Sequence, residues 1–525
     1  MSPGVKKRVA VIGAGPAGLV TLRELLAIGH DAIAFERQPH LGGVYANHYK
    51  ELQLTTSSIN TAFGTYSDGT ERSPRMWTGR EYLAYLNGYA SHFSLHPRIY
   101  LSTNVDTLRL DAEKGTWTLS ASSRATAVQP PPADLIGLPD RGEVPPAVPD
   151  GGQTFEFDHL AICSGVNIRP VRPPLPGVER FQGTILHSSE VRNAEVFRGR
   201  RVLIVGLGES GSDIALIAAE VAKSCAISTR RGPGYIIQRY FAGKPTDLDT
   251  NRCYHAIPRW LVSHPAVRLK VRIEELFLGA SDDKKVLRKA KELNKARGLS
   301  PFQRFGTKNT SFVEAVLYHD AAYKPDVARV GEGRVDFVDG TSAEFDLIVY
   351  CTGYAPGFPF LDEHHPELAA AGKRPRSLFK HMILPELGTR AAWIGLVRPG
   401  IGSIPPAAEL QARYFALLVS GERVLPSIAD MHEDTERAAR LDQEQYPEDA
   451  GRLNALTDYL RFLDGMAAVI GCQPPLRKLF LSKPMTWAKV MFGPLNGAQY
   501  RLAGPGAEPD LAREILSLVQ MATST

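Results

Sequence analysis

One pattern is written twice in this chain. Residues 7–12 form a charged start and an apolar β run that enters Gly13-Ala-Gly15-Pro-Ala-Gly18, and Leu19, Leu22, Leu25 and Leu26 then recur at helical spacing. Residues 200–205 do the same, entering Gly206-Leu-Gly208-Glu-Ser-Gly211 and then Ile214, Ala215 and Leu216. Each unit reads as strand, tight glycine turn, helix. The repeat predicts an α/β protein with two Rossmann-like dinucleotide-binding domains.

The chemistry follows from the turn. Glycines let the backbone close tightly and let a pyrophosphate approach, while the helix beyond offers free N–H groups and the positive end of its dipole. Gly13, Gly15 and Gly18 therefore form a phosphate seat. Glu36 stands 23 residues after Gly13, at the end of a second β run over 32–35, where a carboxylate grips a ribose hydroxyl pair. In the second unit the same offset falls on Thr229, followed by Arg230 and Arg231. Cations there suit a 2′-phosphate that an acid would repel. The first seat thus prefers a nucleotide with a free ribose diol. The second, on Gly206, Gly208, Ser210 and Gly211, prefers NADPH. Two more apolar strands end in small-residue turns, Cys163-Ser-Gly165 and Cys351-Thr-Gly353, each with an Asp near its start (Asp158, Asp346). They are expected to close the sheets beside the nucleotides. Two such sites in one chain imply electron transfer between cofactors, with FAD as the natural partner of NADPH.

Composition removes several alternatives. A chain of 525 residues has room for roughly three domains or fewer. Its 43% hydrophobic and 22% charged residues are ordinary globular values, and a net charge of +5 over this length argues against a nucleic-acid binder. The five cysteines (163, 225, 253, 351, 472) include no Cys-x-x-Cys pair, which argues against a dithiol reductase and a zinc ribbon and fits a reducing compartment. No apolar run reaches the ~18 residues of a spanning helix, and no secretory leader is recognisable, so a soluble cytoplasmic protein is expected. Residues 128–150 carry seven prolines and read as an exposed loop insertion. Residues 284–297 carry seven basic side chains at amphipathic helical spacing and read as a solvated helix stopped by Gly298. Asp362-Glu-His-His365 sits in a turn before Pro366, and no metal site is expected.

Further residues carry a resemblance. Phe181-Gln-Gly183-Thr-Ile-Leu-His187 lies between the two nucleotide motifs. Trp393-Ile-Gly395 is followed by Pro405-Pro-Ala-Ala-Glu409-Leu-Gln411-Ala-Arg413, and later by Phe492-Gly-Pro494 and Gln499-Tyr-Arg501-Leu-Ala-Gly-Pro-Gly506. With Ser228-Thr-Arg-Arg-Gly232, these resemble, over nearly the whole length, the flavin-containing monooxygenases (class B flavoprotein monooxygenases), animal-type members most. The resemblance implies a mechanism. NADPH reduces FAD, reduced flavin takes up dioxygen to give a C4a-hydroperoxide, and NADP⁺ stays bound to shield it. A soft nucleophilic nitrogen or sulfur of a small molecule then takes the distal oxygen. It also implies a discontinuous FAD domain, residues 1–168 and 347–525, around an NADPH domain at 169–346 with a largely helical insertion at 235–309. The substrate is expected at the interface between them.

The resemblance also assigns roles. Gly43 and Tyr45 lie near the flavin, and Thr55, Thr56 and Gln411 face the isoalloxazine edge. Thr352 joins Gly206, Gly208, Ser210, Gly211, Arg230 and Arg231 at NADPH. His187 braces the domains. The chain departs from the family pattern after the Tyr49-Lys50 pair, at Thr55 or Thr56, where animal-type members have Asn, at Glu209, where many members have Asn, and at Val191, where an aromatic residue is common. Baeyer–Villiger insertion beside a ketone uses the same fold and is the alternative reaction. An uncoupled, peroxide-forming flavoprotein is the second. The partners expected are a small-molecule substrate and dioxygen. A homodimer stays open, as does peripheral membrane contact through 476–480 and 487–492, beside ordinary core packing.

Overall fold

The computed structural model describes residues 6–124, 146–241, 243–256, 283–296, 306–447 and 454–519. The repeat becomes two five-stranded parallel sheets. The first runs Ala391–Trp393, His159–Ile162, Arg8–Ile12, Asp31–Phe35, Ile99–Tyr100. The second runs Thr184–His187, Leu347–Tyr350, Arg201–Val205, Ser224–Ser228, Ala322–Lys324. In each, the strand that feeds the glycine turn is central, and all but its first residue are buried. Burial on both faces is why these strands are continuous apolar runs rather than alternating ones. Each sheet also carries a three-stranded antiparallel companion: Thr103–Asp111, Thr116–Ser123 and Gln153–Phe157 in one unit, Val327–Val330, Arg334–Phe337 and Ser342–Glu344 in the other.

The two units match in detail. Gly13 has φ +103° and Gly206 φ +99°; a Cβ on either would lie 2.8 or 2.7 Å from the carbonyl oxygen of Cys163 or Cys351. The small-residue turns at 163–165 and 351–353 therefore do lie against the two glycine turns. Asp158 and Asp346 each accept the backbone N–H that opens the neighbouring central strand, from Arg8 and Arg201, both at 2.8 Å.

One boundary differs from expectation. Leu347–Tyr350 pairs inside the second sheet, so that unit runs past residue 346 and through Gly353. Arg169–Pro170 and Tyr354–Ala355 pair antiparallel, so the two chain crossings between units run side by side. Within 235–309 the described residues are mixed rather than largely helical. Short strands (Tyr235–Ile236, Tyr240–Phe241, Lys244–Pro245) accompany the helices Arg252–Ala256 and Lys284–Ala296. The basic helix buries Val286, Ala290 and Asn294, and the Asn294 amide pairs with both backbone groups of Ile236. Gly298 and most of the proline-rich segment lie outside the described residues. Val148, within that segment, is buried in the core of the first unit rather than exposed.

The last third of the chain returns to the first unit. The helix Ile404–Val419 is buried along nearly its whole length and lies against Pro16–Ala27. Its Glu409 meets Arg501, which also bonds Glu24 on the facing helix, and all three side chains are at most 3% exposed.

Candidate active site at the junction of the two nucleotide turns

The first turn leads into Pro16–Ala27 with Gly15 as its N-cap, no side-chain cap, and Pro16 at the first helical position. The first-turn N–H groups are thus left for an anion. Gly18 is closed to any side chain, since a Cβ there would lie 1.9 Å from the carbonyl oxygen of Gly13. Gly15 and Gly43 face one another: a Cβ on Gly15 would come 3.5 Å from the Gly43 Cα. This bare backbone cradle fits a pyrophosphate. Glu36 is buried at its side. One carboxylate oxygen accepts from Ala14 N and the other from Gln38 N, each at 2.9 Å. Burial pushes its pKa up, against the pull of those bonds. Each oxygen keeps a lone pair with which it could hold a ribose diol. Tyr45 packs edge-on against Tyr82, with centroids 4.7 Å apart, and burial pushes its phenol up to about 12.

The second turn repeats the construction with one opening. A Cβ on Gly211 would lie 2.4 Å from the Gly206 carbonyl oxygen, but one on Gly208 meets no protein atom within 4 Å. Gly208 is the uncapped N-cap of Glu209–Val221, and no contact among the described residues requires a glycine there. Arg230 and Arg231 are exposed just beyond the strand Ser224–Ser228, and Thr229 Oγ1 accepts from Gly232 N at 2.9 Å to shape that bend. The Thr352 hydroxyl donates to Val171 O and ties the second small-residue turn to the crossing segment.

Between the turns lies a polar junction. Asp213, one helical turn beyond Glu209, accepts from Tyr49 Oη at 2.8 Å, from Asn309 Nδ2 at 2.7 Å and from Arg239 Nη2 at 3.1 Å. Arg239 Nη2 also reaches Gln53 O at 3.2 Å. Asp247 Oδ2 accepts from Ser57 N at 2.7 Å and lies 3.4 Å from Lys308 Nζ. The Lys308 backbone N–H donates to Glu209 Oε1 at 2.6 Å. The segment from Tyr49 to Ser57 is thereby held against the second nucleotide turn. None of Asp213, Arg239, Asp247, Lys308 or Asn309 was marked by a motif, because bonds that join them to the junction span up to 190 residues.

Glu209 is the group here that titrates near neutrality. Burial pushes its carboxyl up to about 7 despite Arg239, and Oε2 finds no partner among the described residues. A raised folded-state pKa favours the neutral form. Its stabilising contribution is therefore full below the ordinary carboxyl range and is lost as pH rises through about 7. Glu209→Gln is expected to flatten that dependence. Between pH 5.5 and 8.5, wild-type stability should fall by about 1–3 kcal/mol more than that of the variant, read from thermal unfolding at both pH values. Parallel profiles would contradict the assignment.

The residues expected at the flavin edge separate. The Thr55 hydroxyl is half-buried and takes no partner among the described residues. Thr56 Oγ1 is bonded to Thr61 Oγ1 at 2.8 Å and reaches Ser403 Oγ at 3.4 Å. Gln411 is wholly buried, with both ends of its amide consumed by backbone: Oε1 accepts from Gly395 N and Nε2 donates to Lys380 O, both at 3.0 Å. That bonding makes Gln411 a brace for the turn after Trp393. His187 bridges Ser189 Oγ (2.9 Å) and Gly353 O (3.1 Å), and burial lowers its pKa, as a brace requires. His364 and His365 bond Arg109 Nε and Leu110 N. Among the described residues no three His, Cys, Asp or Glu side chains converge as metal ligands.

Two parallel sheets, two glycine turns and a shared junction define a flavoprotein oxidoreductase of the two-dinucleotide class. Residues 148–523 match the family described as Flavin-binding monooxygenase-like, and residues 7–234 match Pyridine nucleotide-disulphide oxidoreductase. The chain belongs to the flavin-binding monooxygenase-like family, and its cofactors are a flavin and a pyridine nucleotide. It is similar to the 4-hydroxybenzoate brominase (decarboxylating) of Pseudoalteromonas luteoviolacea, 32% identical over 98% of this chain and 93% of that one. It is also similar to dimethylaniline monooxygenase [N-oxide-forming] 2 of Cavia porcellus, 30% identical over 98% of this chain and 92% of that one. Among solved structures, the S-allyl-L-cysteine S-oxygenase of Allium sativum shares the fold with TM-score 0.60 at 22% identity, covering 98% of this chain and 99% of that one. The NADP⁺-bound cyclohexanone monooxygenase of Rhodococcus sp. Phi1 does so with TM-score 0.61 at 14% identity, covering 89% and 98%.

Proposed function

We propose that the protein is an NADPH-dependent monooxygenase that transfers one oxygen atom of dioxygen to a soft nucleophilic nitrogen or sulfur of a small molecule. FAD is assigned to Gly13, Gly15, Gly18, Glu36 and Gly43, with Tyr45 nearby. NADPH is assigned to Gly206, Gly208, Ser210, Gly211, Arg230 and Arg231. Bound FAD supplies the dioxygen chemistry. The chain's own residues hold the two nucleotides and close the space between them. The observation that carries the reading is the junction, where Asp213, Asp247 and Lys308 hold the Thr55 segment against the second glycine turn. Oxygen transfer to a soft nucleophile needs no protein nucleophile and no metal. It needs water kept out, and a group to steady the reacting edge of the flavin. The unpartnered Thr55 hydroxyl is that group in this reading. Thr55→Val, which keeps the shape and removes the hydroxyl, is expected to raise the share of NADPH lost to hydrogen peroxide at least about three-fold, with NADPH affinity unchanged.

A second reading is favoured by one observation: the relative from Pseudoalteromonas luteoviolacea is a brominase of 4-hydroxybenzoate. Bromide is also a soft nucleophile, and the same site would serve it. The test is product formed per NADPH consumed with an amine, a sulfide, a cyclic ketone, and 4-hydroxybenzoate plus bromide. An N- or S-oxide is the expected product. A lactone from the ketone would select Baeyer–Villiger insertion, and a brominated phenol the second reading. Hydrogen peroxide alone in every case would overturn the proposal and leave an uncoupled NADPH oxidase.

A further inference from the structure

The second nucleotide turn carries an acid of its own. Glu209 directly follows Gly208, the uncapped N-cap, and opens the first turn of Glu209–Val221. A pyrophosphate seated on this helix end and a carboxylate on its first residue draw on the same free N–H groups and the same dipole. Glu209 is held in place. Its Oε1 accepts from Lys308 N at 2.6 Å, and its backbone carbonyl accepts from Asn309 Nδ2 at 3.1 Å. Oε2 is buried and has no partner among the described residues.

The cations nearby are bonded to other groups. Arg239 Nη2 bonds Asp213 and Gln53 O, and Lys308 Nζ lies 3.4 Å from Asp247 Oδ2. Arg239 and Arg398 favour the ionised form of Glu209, and Asp213, on the same helix, opposes it. Farther round the helix, Glu190 is paired with Arg172, Glu195 with Arg198 and Arg201 with Asp346, and Glu314 is reached by Thr310 Oγ1. Tyr49 gives its hydroxyl to Asp213. Burial prevails over the two arginines, so the empty turn holds a carboxyl poised between its two forms near neutral pH. An arriving phosphate upsets that poise. A full negative charge about 7 Å away inside a protein strengthens a carboxyl's hold on its proton more than about ten-fold.

We propose that the pyridine nucleotide binds the second turn together with one proton, which Glu209 Oε2 takes from water. One O–H bond forms, no electron moves, and the nucleotide is chemically unchanged. The neutral form of Glu209 is the one that admits the phosphates. Affinity is therefore full where the acid is already protonated, below about pH 7, and falls as pH rises through that value. The inference rests on the assignment of the pyridine nucleotide to Gly206, Gly208 and Gly211 made above.

The test titrates the flavin-loaded full chain with NADP⁺, which has no hydride to give. Calorimetry in two buffers of different ionisation enthalpy then counts the protons taken up per nucleotide bound. At about pH 8 the 2′-phosphate, which titrates at about 6, is already ionised and adds little to the count. Roughly half a proton or more per NADP⁺ is expected at about pH 8, and affinity should fall at least about four-fold between about pH 7 and about pH 8.5. Glu209→Gln, whose amide cannot titrate, should take up less than about 0.1 proton and hold its affinity within about two-fold over the same range. Wild-type protein that binds NADP⁺ without taking up a proton, or uptake that survives in Glu209→Gln, overturns the inference and leaves the nucleotide seat standing. Gly211→Ala protein that binds NADP⁺ as wild type does overturns the seat, and the inference with it.

Discussion

Gly18→Ala is expected to purify without flavin. A Cβ at this position would lie 1.9 Å from the Gly13 carbonyl oxygen, and that atom is turn backbone that cannot swing aside like the end of a flexible side chain. Either the helix withdraws from the turn or the turn opens, and both dismantle the phosphate seat. A forced backbone shift of this kind costs about 3 kcal/mol or more, which is at least roughly 100-fold in FAD affinity. Gly211→Ala is the twin experiment, with 2.4 Å to the Gly206 carbonyl oxygen, and should cost NADPH binding while the flavin stays. Gly208→Ala is the informative control. Its Cβ meets open space, so any loss of NADPH affinity there reports contact with the ligand and not damage to the fold. FAD content per chain and NADPH titration read all three. Gly18→Ala protein with a full complement of flavin would contradict the seat.

Arg501→Met is expected to be the most destabilising single change away from the nucleotide seats. Its guanidinium is buried between Glu24 and Glu409. Burial pushes the Glu24 carboxyl up, but Arg501 and Arg23 outweigh it and hold the group below its ordinary value. Removing the arginine strands buried negative charge, at a cost of about 3–5 kcal/mol. The helices Pro16–Ala27 and Ile404–Val419 then lose the link that seats the last third of the chain on the first unit. Replacing Glu24 and Glu409 by Gln in the same chain should recover part of the loss, because no charge is then left unpaired. Thermal inactivation of the flavin-loaded protein reads the series. Arg501→Met within about 1 kcal/mol of wild type would contradict the account.

What could be read from the sequence was what lies close together along it. Gly13 and Gly18, or Gly206 and Gly211, meet within one turn of chain, and the need for glycine is written at the position that needs it. Glu36 is one strand away and was equally visible. The small-residue turns at 163–165 and 351–353 were legible for the same reason, as ends of apolar strands. The end of the second unit was misplaced because an apolar run over 347–350 looks alike in either sheet; only the pairing with Arg201–Val205 decides. Gln411 drew attention as a polar residue near a family segment. The helix that carries it is buried on all sides, so its Glu409, Gln411 and Arg413 are there to meet partners within the protein. The junction could not be read at all. Tyr49 and Asp213, or Ser57 and Asp247, are brought together only by packing of the two units.

The most direct test of the central claim is the fate of dioxygen. Flavin-loaded protein is supplied with NADPH, an amine or sulfide, and dioxygen labelled with heavy oxygen, and product mass is compared with NADPH consumed. The account predicts one labelled oxygen in the N- or S-oxide for each NADPH oxidised. Unlabelled product, or label recovered only in hydrogen peroxide with every substrate, would contradict it.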